Sequence, residues 1–546
     1  MKTLLKYGIA AAGIITSGLL QTGCTPSGDQ QEKQPNIILF LVDDMGWQDT
    51  SVPFWKEKTP FNERYHTPGM ERLAREGMKF TQAYASSVCS PTRTSLMTGM
   101  NAARHRVTNW TLRRNGSNDQ KDDQMEFPVW NMNGLQPADS IENAVAATTL
   151  PQLLQDHGYY TIHTGKAHWG AIGTPGADPL NLGFDINIAG HAAGGPGSFW
   201  GEKNYSAAWR NGGHIWDVPG LEKYHGSDTY LTEALTLEAV KALQEPVKND
   251  QPFYLYMSHY AVHVPLEADE RFADKYRKMG LDKREAAYAS MVEGMDKSLR
   301  DLMDYLEEEG VADNTIILFM SDNGGLSAHG RGGEPNTHNK PLSSGKGSAY
   351  EGGIRVPMLV KWPGKVRPES VCHDYVIIED FFPTILEMAG IQNANTIQSV
   401  DGMSFVPLLL EKENPEKERS LFWHFPNKWG PSGPGIGTTS SIRKGDWKLV
   451  YWYKDQHFDL FNIREDIGEE HNLAEENPGK VKALAAELGE WLRETGAQRP
   501  VLQNTGEPAP WPDQQEVWDK NNLAMVNSGN VIEKTPVFHY FYKKEQ

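Results

Sequence analysis

The chain runs to 546 residues, well beyond the ~100–200 typical of one domain, so one large domain and at least one smaller one are expected. It is 39% hydrophobic and 23% charged, the ordinary balance of a globular protein with a sizeable core. Its 53 basic against 71 acidic residues give a net charge of −18, which disfavours nucleic acid and anionic membrane surfaces as partners and obliges any anionic substrate to meet a compact, locally cationic site.

At the N-terminus, Lys2 and Lys6 precede an uncharged apolar run over 7–20. A spanning helix needs ~20 apolar residues, so this reads as the core of a signal peptide covering 1–23. Gly23-Cys24 resembles a bacterial lipoprotein cleavage box, which makes Cys24 the lipidated first residue and 24–35 a polar tether. An ordinary signal peptide cleaved nearby is the plain alternative. The expected address is periplasmic or cell-surface, as a lipoprotein of a Gram-negative bacterium that meets the membrane only through its anchor. Cys89 and Cys372 are too few for a disulfide scaffold, and Cys372 reads as a buried small hydrophobe.

Apolar runs at 36–42, 159–164, 252–258, 314–320 and 356–362 read as strands, with helical patterns at 67–76, 149–157, 229–244, 284–309 and 380–389 between them. Thr67-Pro68 and Thr149-Leu150-Pro151 supply cap-plus-proline starts. Strands apolar on both faces that alternate with helices predict the α/β class, with a large, mostly parallel sheet flanked by helices over 36–410. The polar run 411–419 reads as a linker. Beyond it, strands at 421–425, 440–443, 448–453 and 457–461, then a helix at 478–495, predict a smaller C-terminal domain of antiparallel sheet plus helix, 420–500. The tail 501–546 has no assignment.

Asp43-Asp44 follow the first strand and Asp322-Asn323 the fourth. Ligand sites of parallel α/β sheets gather beyond the carboxyl ends of strands, and these hard oxygens suit calcium or magnesium. Either pair alone would be a turn former or helix cap, but two in matching context favour a metal. In Cys89-Ser90-Pro91-Thr92-Arg93, the proline places Cys89 near a helix N-terminus, with Arg93 on the same face. By itself this is either a buried cysteine or a thiolate of lowered pKa.

Cys89-Ser90-Pro91-Thr92-Arg93, followed by Thr98-Gly99, resembles the sulfatase signature, in which the cysteine becomes Cα-formylglycine. Val42-Asp43-Asp44-Met45-Gly46, Gly165-Lys166-Ala167-His168, His263-Val264-Pro265, Ser321-Asp322-Asn323-Gly324, Lys346-Gly347 and Glu351-Gly352-Gly353 match further family blocks in the expected order, so the resemblance spans 36–472. It implies hydrolysis of sulfate esters on an alkaline-phosphatase-like fold, after a formylglycine-maturing enzyme has acted on Cys89. Asp43, Asp44, Asp322 and Asn323 would hold Ca2+ together with the modified Cys89. Arg93, Lys166 and Lys346 would neutralise the sulfate, His168 would bond the formylglycine hydroxyl, and His263 would protonate the leaving oxygen.

The glycine-rich loop 170–205 resembles exo-acting carbohydrate sulfatases, implying a sulfated carbohydrate substrate, 4-O-sulfated galactose or N-acetylgalactosamine. His424 and Trp429, before and within the Gly/Pro-rich segment 426–440, are the expected sugar contacts, a flexible connector being the plain alternative. The competing functions are a phosphate-ester hydrolase of the same superfamily and a non-catalytic glycan-binding lipoprotein.

Overall fold

Strand β1 (Asn36–Val42) is buried along its whole length and sends alternate side chains to opposite faces, as the two-residue period of a strand requires. Ile37, Leu39 and Leu41 join one apolar cluster, and Ile38, Phe40 and Val42 join another. The computed structural model describes residues 33–414 and 416–523. The signal peptide, Cys24, most of the tether and the end of the tail lie outside these residues.

Among the described residues, β1 belongs to a nine-stranded sheet with β2 (Met78–Tyr84), β3 (Tyr160–Gly165), β4 (Ile186–Ile188), β5 (Phe253–Ser258), β6 (Thr315–Ser321), β7 (Arg355–Lys361), β8 (Ser370–Cys372) and β9 (Val376–Ile377). Its order is β8-β2-β7-β6-β1-β5-β3-β4, with β9 also on β2. Strand β7 runs antiparallel to β2 and β6, and the other pairings are parallel. Cys372 is buried in β8, as expected of a small hydrophobe.

Helices cover both faces. Helices α1 (Pro68–Glu76), α4 (Leu231–Lys248) and α5 (Lys283–Glu308) bury Met70, Leu73, Leu235 and Leu299 against the Phe40 face. On the Leu39 face lie α2 (Cys89–Thr98), α3 (Leu150–Asp156) and α6 (Phe381–Met388), through Leu96, Leu153 and Phe382. Thr149 caps α3 as its sequence suggests, but Thr67 does not cap α1. Asp296 of α5 does so from across the core, accepting from Gly69 N (2.8 Å) and Met70 N (2.7 Å).

The C-terminal strands β10 (Ser420–Phe425), β11 (Thr439–Lys444), β12 (Trp447–Trp452) and β13 (Phe458–Asn462) form a separate antiparallel sheet in sequential order. Helix α7 (Pro478–Glu494) packs Val481, Leu484 and Leu488 on Ile442, Leu449 and Leu460 of that sheet. Part of the unassigned tail, Val501–Leu502, pairs antiparallel with Met125–Glu126. No helix of the described residues is long and apolar enough to cross a membrane.

Candidate active site

Strands β1 and β6 pair in parallel with Val42 beside Ser321, so the residues that follow each emerge at one edge of the sheet. There Asp44 N donates to Asp322 Oδ1 (3.2 Å) and Asn323 Nδ2 donates to Asp44 Oδ1 (2.8 Å). Asp43, Asp44, Asp322 and Asn323 have no exposed surface. Three of their oxygens, Asp43 Oδ1, Asp44 Oδ2 and Asn323 Oδ1, are buried without a hydrogen-bond partner. An orphaned buried acceptor costs about 1–3 kcal/mol, and more if charged. A group of them on one pair of strand ends is the donor set of a hard divalent cation, so the residues present fit calcium. His263 joins them: one ligand atom from each of Asp43, Asp44 and His263 lies within 4.8 Å of the others. The two loops touch so closely that a Cβ added to Gly325 would stand 2.7 Å from Gly46 Cα.

The expected cations converge on the same carboxylates. Lys166 Nζ stands 2.7 Å from Asp43 Oδ2, and Lys346 Nζ 2.6 Å from Asp44 Oδ1. Arg93 Nη2 donates to Asp322 Oδ2 at 2.8 Å. The cationic patch required by the acidic chain is therefore present but balanced by three acids. Burial, followed by the charge of Asp322, pushes the Asp43 carboxyl well above its ordinary range. Burial alone would raise Asp44 as well, but Lys346, His263 and Lys166 hold it below.

Cys89 opens α2 and is almost fully buried. Burial pushes its thiol up against the opposing pull of Lys166 and Lys346, which argues against a low-pKa thiolate nucleophile. His168 takes a left-handed backbone (φ 61°); its Nε2 donates to Thr111 O (2.9 Å), leaving Nδ1 buried and without a partner. His263 Nδ1 donates to Val264 O (2.7 Å), and its Nε2 lies 3.8 Å from Asp44 Oδ2. Burial, then Lys346, pushes the His263 imidazole down to about 3.

Trp429 reaches this site from the C-terminal sheet. A Cβ on Gly347 would fall 2.0 Å from its ring, and it packs with Val88 and Phe425 and lies edge-on to His329 (5.4 Å). His424 does not accompany it. That side chain is buried in β10 with Nδ1 2.7 Å from Ser440 Oγ, because the strand pairing turns it toward β11. Its Nε2 is buried without a partner, and the residue lines a small cavity with Trp423 and Thr439.

The sequence reading missed the supports behind the two acidic loops. Arg331 is fully buried, pairs with Asp49 (3.1 Å) and Glu285 (2.8 Å), and lies 3.9 Å over the Tyr288 ring. Tyr288 donates to Asp49 Oδ2 (2.6 Å), which also accepts from Gly46 N (3.0 Å). Asn339 Nδ2 donates to Gly325 O (3.0 Å) and Ser344 O (2.8 Å), joining the loop after Asp322 to the Lys346 segment. Such pairs are far apart in sequence and follow no period, so pattern reading has no signal for them.

Known proteins with this sequence pattern and fold agree on its kind. The sulfatase family model matches residues 35–391, and the model described as N-sulphoglucosamine sulphohydrolase, C-terminal, matches 345–498. A sulfatase of Formosa agariphila is 30% identical, over 93% of this chain and 97% of its own. The N-acetylgalactosamine-6-sulfatase of Mus musculus is 29% identical, over 81% and 76%. The crystal structure of Ps i-CgsB is similar at TM-score 0.67 and 27% identity, over 90% of this chain and 98% of that one, and the same protein has been solved in complex with k-i-k-neocarrahexaose. The chain belongs to the sulfatase family and is a sulfuric ester hydrolase.

Proposed function

We propose that the protein is an exported, lipid-anchored carbohydrate sulfatase that works through a Cα-formylglycine at position 89 and one calcium ion. The observation that carries this reading is the set of orphaned oxygens on Asp43, Asp44 and Asn323 beside the buried Cys89. Asp43, Asp44, Asp322 and Asn323 would hold the calcium, with His263 at its edge. When present, the ion supplies Lewis acidity toward a sulfate oxygen, and the aldehyde hydrate supplies a hydroxyl nucleophile. Three cations against three carboxylates leave the protein groups balanced, so a divalent ion tips the pocket positive, as a sulfate ester on a chain of net charge −18 requires.

Lys166 and Lys346 provide fixed positive charge where the transferring group carries its negative charge. His168 keeps Nδ1 open as an acceptor for the hydroxyl at position 89 because Thr111 O occupies its other nitrogen. His263, its Nδ1 tied to Val264 O, holds Nε2 3.8 Å from Asp44 Oδ2, where, once protonated, it would donate to the leaving oxygen. The glycine-rich loop 170–205 and the names of relatives that act on or bind galactose-type sugars support a sulfated galactose or N-acetylgalactosamine as substrate. We read the sulfate as 4-O-linked, although the relative in mouse is named for the 6-position of N-acetylgalactosamine.

The test is expression with a formylglycine-maturing enzyme, followed by peptide mass analysis and sulfate release from 4- and 6-sulfated galactose and N-acetylgalactosamine. The expected result is an aldehyde at 89 and release that chelation abolishes and calcium restores. Turnover by protein carrying only the thiol would overturn the mechanism. Release from the 6-sulfated sugars alone would overturn the linkage.

A further inference from the structure

Thr111 is part of the wall of the site. Its carbonyl accepts from His168 Nε2 (2.9 Å), and its N–H donates to the hydroxyl of Ser90 (3.1 Å), the neighbour of Cys89. Two residues further on, the chain makes a tight turn over 113–116, closed by Gly116 N donating to Arg113 O (3.0 Å). Asn115 takes the left-handed backbone (φ 54°) that the third position of such a turn calls for. The turn is pinned from beneath by the buried Asn133, whose Oδ1 accepts from Asn115 N (2.7 Å) and whose Nδ2 donates to Asn115 Oδ1 (2.6 Å). Ile172 N donates to Leu112 O (2.8 Å), which ties the turn to the loop 170–205.

This rigid turn exposes Arg113 and Arg114. Among the described residues neither makes an ion pair or a side-chain hydrogen bond. Of the acids that follow, Asp119 and Asp122 are committed elsewhere, while Asp123 is exposed. Asp119 accepts from Asn109, Trp130 and Asn427, and Asp122 pairs with Lys428 and Lys454. Two residues of extended chain span at most ~7 Å, which puts Arg113 Cα within roughly 12 Å of His168 Nε2. That is the scale of one or two sugar rings, and guanidinium groups bind oxyanions through paired, parallel N–H donors. On a chain of net charge −18, two unspent arginines within this reach of His168 offset the repulsion of an approaching polyanion.

We propose that Arg113 and Arg114 form an accessory anion subsite that takes a second charged group, a sulfate ester or a uronate carboxylate, on a sugar next to the one being desulfated. The preferred substrate is then a polyanionic oligosaccharide rather than a singly sulfated monosaccharide. This rests on the sulfatase reading of the Cys89 site.

The test compares wild type with the Arg113→Ala/Arg114→Ala double variant on four substrates: an aryl sulfate, a singly sulfated monosaccharide, an oligosaccharide with a second sulfate, and one with a neighbouring uronate. The expected result is a fall of about tenfold or more in kcat/KM, carried by KM, on one or both oligosaccharides, with the aryl sulfate and monosaccharide unchanged. Arg113→Lys/Arg114→Lys should recover part of the loss. A loss confined to one oligosaccharide names the anion and supports the subsite. An equal loss on all four, or no loss on either oligosaccharide, overturns it. Wild-type protein inactive on every sulfate ester would instead overturn the reading of the Cys89 site itself.

Discussion

Arg93 sits four residues into α2 with none of its surface exposed, and its donors are spent on protein. Nε and Nη2 donate to Asp322 Oδ2 (3.0 and 2.8 Å), and Nη1 donates to Ser258 Oγ (2.6 Å) and Lys166 O (3.1 Å). The family resemblance implies that Arg93 neutralises the sulfate; in the structure its fork holds Asp322 in place beside Asp43 and Asp44. Removing one member of a buried pair strands the other charge, at about 3–5 kcal/mol. Arg93→Ala should lower the unfolding free energy by that order and abolish aryl sulfate turnover. Arg93→Lys keeps the charge but not the fork, so stability should partly return while turnover does not. A loss below about 1 kcal/mol in denaturant titration would mean that Asp322 needs no partner there.

Where elements meet, a second buried acid sets a pH dependence. Glu379 lies on the turn Ile378–Asp380 that leads into α6. Its Oε1 accepts from Asn101 Nδ2 (2.7 Å), which also reaches Phe422 O in β10 (3.0 Å). Burial, then the charge of Asp380, pushes its carboxyl up to about 8. The folded state thus binds this proton more tightly than the unfolded chain, whose value is near 4.5. The stability it confers is full below about pH 4.5 and is lost as pH rises through about 8. Glu379→Gln keeps the acceptor and removes the titration. Relative to it, wild type should lose a few kcal/mol between about pH 5 and pH 8.5. Parallel stability–pH curves for the two proteins would show that Glu379 is ionised throughout.

The same scale explains what was legible. Strands β1 and β6 read clearly because burial on both faces leaves an unbroken apolar run, and the acids that end each run name the site. Strand β2 did not, since it carries the polar Thr81 and the partly buried Lys79 and Gln82. The cap on α1 was misread because Asp296, more than two hundred residues away, replaces the local Thr67. The burial of His424 against Ser440 was not legible for the same reason, as it follows from a strand pairing.

Across the whole molecule, the C-terminal sheet and the Glu351 segment share one buried charge cluster. Lys448 of β12 stands 3.1 Å from Glu351 Oε1 and 2.8 Å from Glu469 Oε1, all three side chains fully buried. Glu469 Oε2 also accepts from Glu351 N (2.6 Å), at the start of the Glu-Gly-Gly block that follows Lys346. Burial raises both acids, but Lys448 and Arg355 hold Glu351 down at about 2, while Glu469 rises to about 7. One lysine therefore anchors the segment that carries Lys346 and Gly347, on which Trp429 rests. The chain from Pro35 onward forms one compact unit, so the two sheets should unfold together. Lys448→Met strands Glu469 and weakens the pairing of Glu351, and should cost about 3–5 kcal/mol while leaving a single thermal transition. It should also depress kcat for an aryl sulfate, although Lys448 touches none of the sulfate-handling groups, because the Lys346 segment loses its anchor. Adding Glu469→Gln removes the stranded charge and leaves Glu351 to Arg355, 3.2 Å away, so the double variant should regain part of both losses. Two separate transitions, with the substitution moving only one of them, would mean that the sheets fold independently and that the C-terminal sheet does not hold the catalytic loop in place.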